Sequence, residues 1–160
     1  MRGLRNCMGM IICVGVLGVS QVVGMSASAR EETAVAVYVV EATEGSESSM
    51  DRAIPKGMAA SLGKVGKYNR FRLLKSARGS VSVSQGWEVF LAGDFYLELT
   101  LSGTSPDEKD YVSLRATFYR RGASRRKTRD TIAFRVRPGS FYVQYIETEE
   151  SVLCIGITPK

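Results

Sequence analysis

The basic segment at residues 120–129 holds the densest group of side chains that could bind a charged ligand. It reads Arg-Arg-Gly-Ala-Ser-Arg-Arg-Lys-Thr-Arg, and its six cations are Arg120, Arg121, Arg125, Arg126, Lys127 and Arg129. Guanidinium groups bind phosphates and carboxylates through paired hydrogen bonds, which favours anionic lipid, acidic polysaccharide or an acidic protein as the ligand. A solvated loop whose charge only opposes aggregation is the alternative. No RNA-binding motif accompanies the segment, so we do not expect nucleic acid as a partner.

Acidic residues offer two weaker candidate sites. Asp94 and Glu98 are four positions apart in a predicted strand, so they share a face and could form a hydrolytic carboxylate pair. Asp107, Glu108 and Asp110 cluster in a predicted loop that could bind calcium weakly, although it lacks the ligand spacing and glycine of an EF-hand. Solvated surface acids are the default interpretation of both groups. We therefore predict no catalytic residue, no metal site and no cofactor.

Histidine and cysteine usage narrows the chemistry further. The chain contains no histidine, which excludes an imidazole base, a Ser-His-Asp arrangement and the common zinc sites. Of the three cysteines, only Cys154 lies beyond residue 29, so no internal disulfide is expected there. We expect its side chain to be buried, with a reactive thiol as the alternative. These features predict a protein that is not an enzyme.

Outward-facing aromatic residues could form a platform for a sugar. Tyr96, Tyr119 and Tyr142 occupy polar-side positions of predicted strands. Packing across neighbouring strands is the alternative interpretation, and we favour it because aromatic residues are generally enriched in sheets.

The first 29 residues have the form of a cleavable signal peptide. Arg2 and Arg5 precede an apolar stretch, and Ala27-Ser28-Ala29 has the small residues that signal peptidase accepts. A retained anchor is the alternative, but the apolar stretch at residues 8–23 is shorter than the roughly 20 residues of a membrane-spanning helix. We predict a signal peptide at residues 1–29 and one β-rich domain at residues 30–160. No second stretch is long enough to span a membrane.

The remaining pattern predicts a β-rich fold. Val35, Val37 and Val39 share one face of a strand at residues 34–40, and a similar period of two recurs in seven or so later segments. Ile54, Met58, Leu62 and Val65 have helical spacing, with Asp51 as the expected N-cap and Pro55 in the first turns. We predict an all-β fold of about eight mainly antiparallel strands with one short helix near the N-terminus. A sandwich and a partly open barrel both fit this pattern.

One resemblance follows from the order of these segments. The strand at residues 35–40, Ile54-Pro55 before the helix, and the segment at residues 68–74 resemble parts of small exported bacterial proteins of uncharacterised function. Asp130-Thr131 and the closing strand at residues 153–157 fit the same outline. The resemblance implies an envelope location and a β-rich fold, and it implies no catalytic residue, ligand or partner.

These observations leave three functional hypotheses. The first is an exported, non-enzymatic cell-envelope binding or assembly protein, periplasmic or associated with the outer envelope, whose exposed sheet edges add a strand from a protein partner. The alternative is a module that binds anionic lipid or polysaccharide through the basic segment. A carboxylate-based hydrolase is the third. The oligomeric state and the choice between periplasm and cell surface stay open.

Overall fold

The computed structural model describes residues 32–102, 110–122 and 126–160, without the side chains of residues 126–129. The predicted signal peptide lies outside these residues, as do Asp107, Glu108 and Arg125. The helix is α1 (Lys56–Leu62), and the strands are β1 (Glu32–Thr43), β2 (Ser49–Met50), β3 (Arg70–Ser82), β4 (Trp87–Ala92), β5 (Phe95–Leu101), β6 (Val112–Arg121), β7 (Arg126–Val136), β8 (Tyr142–Glu147) and β9 (Val152–Pro159).

The described strands form two stacked sheets. Sheet A has the order β2-β3-β1-β9-β8, and sheet B has the order β4-β5-β6-β7. All neighbouring strands are antiparallel except β2 and β3. The predicted all-β fold with one short helix is confirmed, and it is a sandwich without a closed barrel. No helix in the described ranges is long and apolar enough to cross a membrane.

The main core lies between the two sheets and follows the period of two in the sequence. Val35, Val37 and Val39 of β1 are buried there, as predicted, against residues such as Leu97 and Leu99 of β5. Burial of each of these side chains stabilises the fold by roughly 1.5–3 kcal/mol. Cys154, the cysteine of the described residues, is free, so apolar packing and not a disulfide is the main link between sheet A and sheet B.

Helix α1 covers the opposite face of sheet A and makes a third layer. Met58 and Leu62 are fully buried in a second cluster that includes Val40 of β1 and Cys154 of β9. The helix approaches the sheet closely, because a Cβ atom added to Gly156 would lie 2.5 Å from the Met58 sulfur. The central strands of sheet A are therefore covered on both faces, which explains why residues 34–40 of β1 and residues 152–157 of β9 are apolar at almost every position.

The prediction for the start of α1 was wrong, because Asp51 is not the N-cap and Ile54 lies before the helix. Pro55 occupies the N-cap position without a side-chain cap, and its carbonyl accepts the N–H groups of Met58 and Ala59 at 3.0 and 2.9 Å. Asp51 lies earlier, where its carboxylate accepts the Ala53 N–H at 2.9 Å and the Leu73 N–H at 3.4 Å. Asp51 therefore links the segment before the helix to β3 by a hydrogen bond and does not cap the helix. Pro55 has the extended backbone conformation of a cap residue, so the helix begins at the next residue.

Candidate functional site: the basic hairpin and the sheet edge

The basic segment forms the end of a β-hairpin made by β6 and β7. The strands extend into the segment predicted as a loop, so that Arg120 lies opposite Lys127 and Arg121 lies opposite Arg126. Like charges directly opposite each other destabilise a strand pair. Two consecutive cation pairs therefore need acidic neighbours, and the structure shows one for each of the two residues on β6.

Arg121 is held by a carboxylate two strands away. Its Nη2 donates to Glu88 of β4 at 2.9 and 3.1 Å, and its guanidinium lies 4.5 Å from the centre of the Tyr96 ring on β5. The Tyr119 hydroxyl donates to the same carboxylate. The charge of Glu88 raises the pKa of Arg121.

Arg120 points away from Arg121 and meets a different acid. Its Nε lies 3.3 Å from Oδ1 of Asp94, in the turn before β5, and its guanidinium lies 4.4 Å from the centre of the Phe95 ring. About half of its side chain is exposed. Of the six predicted cations, the structure thus gives side-chain contacts for Arg120 and Arg121, while the other four side chains lie outside the described part.

The predicted carboxylate pair has a different arrangement from the one expected. Asp94 lies in a turn beside Arg120, whereas Glu98 of β5 is opposite Glu88 and Thr117 on neighbouring strands. The sequence spacing missed Glu88, because its position beside Glu98 depends on the pairing of β4 with β5. In the described part of the chain, no group of three or more acidic, histidine or cysteine side chains could hold a metal ion.

The tyrosines predicted as a sugar platform pack against other rings. Tyr119 is fully buried, and its ring stacks on Tyr96 with centroids 5.5 Å apart. Phe90 of β4 extends this row at 5.3 Å from Tyr96 and is the exposed member, with 42% of its surface accessible. Tyr142 stacks on Phe134 at 3.9 Å, at the boundary between the sheets. Cross-strand packing, the favoured alternative, describes these contacts.

Cys154 lies in the interior between sheet A and α1. Its side chain is fully buried, as expected, and this burial raises the pKa of the thiol to about 12. A thiol held in this neutral form is a poor nucleophile. Its position indicates a packing role.

Two edge strands lie side by side near the basic hairpin. Strand β7 is the edge of sheet B and β8 is the edge of sheet A, and the stacked rings of Phe134 and Tyr142 join them. Between these edges is an opening of about 200 Å³, whose lining residues are Phe118, Asp130, Gln144, Tyr145 and Ile146. Strand β7 has 11 residues and, among the described strands, pairs only with β6.

No protein-family model, curated protein or solved structure matches this chain. The resemblance to small exported proteins and the predicted export therefore stay predictions.

Proposed function

We propose that this protein is an exported, non-enzymatic binding protein of the cell envelope that takes an extended segment of a partner protein along β7. The observation that carries this proposal is the position of β7 as an 11-residue edge strand of sheet B. An edge strand presents main-chain N–H and C=O groups that a partner strand can bind. The predicted signal peptide supports the location.

The charges of β7 favour an acidic partner. Arg126, Lys127 and Arg129 lie in the first half of the strand, and Arg135 lies near its end. The only acid of β7 is Asp130, which lies opposite the core residue Phe118 and lines the opening between the sheets. An added strand with acidic residues beside the cations would gain attraction, and a basic strand would be repelled.

The same edge has features that oppose indiscriminate pairing. Its register with β6 shifts between Phe118 and Tyr119, so that Arg129 has no opposite residue. Such an irregularity and several lysine or arginine residues are among the usual means by which exposed edges avoid aggregation. A partner segment would have to fit the irregularity and complement the charges, so we expect binding at this edge to be selective.

Photo-crosslinking in cells tests this proposal. A photoreactive residue is placed at Thr131, which is exposed on β7, and in a control at Ser76, which is exposed on β3 of sheet A. We expect one stoichiometric envelope protein to be captured from Thr131 and not from Ser76. The same products from both positions, or none from Thr131, would refute strand addition at β7. Mass spectrometry of the N-terminus in the same sample shows whether cleavage occurs after Ala29.

The second candidate function is binding to anionic lipid or polysaccharide through the basic hairpin. The observation in its favour is the register of β6 with β7, which places two pairs of basic residues opposite each other at the hairpin end. Binding to vesicles with anionic lipid is expected to fall steeply with salt. It should also depend on Arg120, Arg121, Arg125, Arg126 and Arg129. Unchanged binding after all five are replaced with Ser would exclude this function.

A further inference from the structure

A cleft of about 410 Å³ lies at the end of the sandwich where the basic hairpin begins. It is a different surface from the β7 edge. Its lining residues are Glu41, Thr43, Arg120, Thr148, Glu149, Glu150 and Ser151. The volume falls within the range of about 300–1,000 Å³ that is usual for small-molecule sites. The lining combines one cation with three carboxylates and three hydroxyl groups, so it suits a polar ligand.

The acidic side of the cleft is a rigid two-residue tip between β8 and β9. Thr148 and Ser151 close the turn, with the Thr148 N–H donating to the Ser151 carbonyl at 2.9 Å and the Ser151 N–H donating to the Thr148 hydroxyl at 3.1 Å. The Thr148 hydroxyl also donates to the Ser151 carbonyl at 2.8 Å. Glu149 and Glu150 form the tip and are exposed, and neither makes an ion pair within the described part of the chain.

The third carboxylate of the cleft differs from the two at the tip, because an arginine already neutralises its charge. Glu41 of β1 accepts a hydrogen bond from Arg72 at 2.8 Å. The two glutamates of the tip are therefore the acidic groups in the cleft that a cationic ligand could engage without displacing a partner.

Arg120 provides the basic side of the same cleft. Its Nε faces Asp94, and its terminal nitrogens have no hydrogen bond to the described residues. These terminal N–H groups are the pair that binds a phosphate or carboxylate in a forked geometry. Arg120 is the one cation among the described residues that line the cleft. A phosphate presents three acceptor oxygens and more negative charge than a carboxylate, so it is the stronger ligand for these N–H groups.

We propose that this cleft binds a small zwitterion whose primary ammonium group is a few bonds from a phosphate, the chemistry of phosphoethanolamine. The phosphate binds the terminal N–H groups of Arg120, and the ammonium binds Glu149 and Glu150. The hydrogen-bonded turn fixes the backbone from which the two glutamates project, which lowers the ordering cost of the acidic side. Such a ligand can be free in solution or can be the headgroup of a lipid.

Titration with phosphoethanolamine, followed by NMR of the backbone amides of Arg120, Thr148 and Ser151, tests this site. The protein is expressed from the full-length gene and purified in the form that the cell accumulates. We expect the zwitterion to bind at least about tenfold more tightly than inorganic phosphate or ethanolamine alone, because each provides only one of the two contacts. Equal affinity for phosphate alone, or no shift at these amides, would overturn the proposal.

Matched variants assign the two ends of the ligand. Arg120→Gln and Glu150→Gln should each weaken binding about tenfold or more, while Arg137→Gln and Asp110→Asn should leave it unchanged. Both controls are exposed residues at the opposite end of β6, roughly 30 Å away by the rise per residue of a strand. Equal losses in targets and controls would show a general charge effect and refute the site.

Vesicles distinguish the two sources of the ligand. Co-sedimentation with phosphatidylethanolamine vesicles, but not with phosphatidylcholine vesicles, would support a lipid headgroup as the ligand. The ammonium of phosphatidylethanolamine can donate hydrogen bonds to the glutamates, whereas the quaternary ammonium of phosphatidylcholine cannot. Binding of free phosphoethanolamine without vesicle binding would support a soluble ligand. Equal binding of glycine and phosphoethanolamine would overturn the phosphate assignment.

Discussion

Arg121 of β6 reaches over β5 to Glu88 of β4, with its Nη2 2.9 Å from Oε1 of the carboxylate. Its guanidinium lies over the Tyr96 ring on the intervening strand. One side chain thus links three strands of sheet B and brings a negative charge to the basic hairpin. This contact allows a strand pair with opposed cations to persist at the end of β6 and β7.

Replacing Glu88 should destabilise sheet B through the hydroxyl of Tyr119. Glu88→Ala removes the carboxylate that accepts from this hydroxyl, on a tyrosine with a fully buried side chain. We expect a loss of about 1–2 kcal/mol in the free energy of unfolding, measured by urea denaturation. Tyr119→Phe in the Glu88→Ala background should cost less than it does alone. Additive losses would mean that the two side chains act independently.

The attachment of α1 to sheet A should depend on Met58. Met58→Ala leaves a cavity against Gly156 and Cys154, and we expect a loss of about 2–5 kcal/mol, whereas Met58→Leu should cost less than about 1.5 kcal/mol. In Met58→Ala the Cys154 thiol should also react faster with a thiol reagent. An unchanged labelling rate with a large stability loss would show that α1 does not cover this cysteine.

The buried thiol predicts a dependence of stability on alkaline pH. Because burial raises the pKa of Cys154 from 9.0 to about 12, the unfolded chain releases a proton that the folded chain keeps. The free energy of unfolding should therefore fall as the pH rises from about 9 towards 12. Below about pH 9 the thiol is protonated in both states, so the full stability is present there. Cys154→Ala, measured beside the native chain in urea at each pH, should show a shallower fall. Parallel curves for both proteins would contradict the assignment.

The contact between Gly79 and Trp87 provides an optical test of how the sheets pack at the β3–β4 side. A Cβ atom at Gly79 would overlap the indole of Trp87, the only tryptophan in the chain. Gly79→Ala should displace the ring, shift its fluorescence and cost about 1–3 kcal/mol. Gly63→Ala is the matched control, since nothing lies within 4 Å of its added Cβ and its φ is −59°. A fluorescence shift of the same size in the control would refute the contact.

Local patterns identified most of the fold, because each depends only on neighbouring positions. The alternation of Val35, Val37 and Val39 predicted a strand with one buried face, and the spacing of Met58 and Leu62 predicted one buried helix face. The start of α1 was harder to predict. Asp51 has the side chain of a cap, but its carboxylate bonds to β3, which is distant in the sequence.

The candidate sites depended much more on tertiary structure. The run at residues 120–129 was evident as a basic segment, but its partners Glu88 and Asp94 were not. Strand order brings Glu88 to Arg121 across β5, and the turn before β5 brings Asp94 to Arg120. The cleft between Arg120 and Glu149 likewise joins the ends of two hairpins from different sheets.

The sequence by itself thus determined the β-rich class and the short helix of the described residues, and its lack of histidine excluded an imidazole base. Only the tertiary structure decided that the sheets form a sandwich, that β7 and β8 are edge strands and that Glu98 faces Glu88. The physical reason is that hydrophobic period and residue type are local properties of the chain. Strand order and the meeting of distant charges depend on how the whole chain buries its apolar faces.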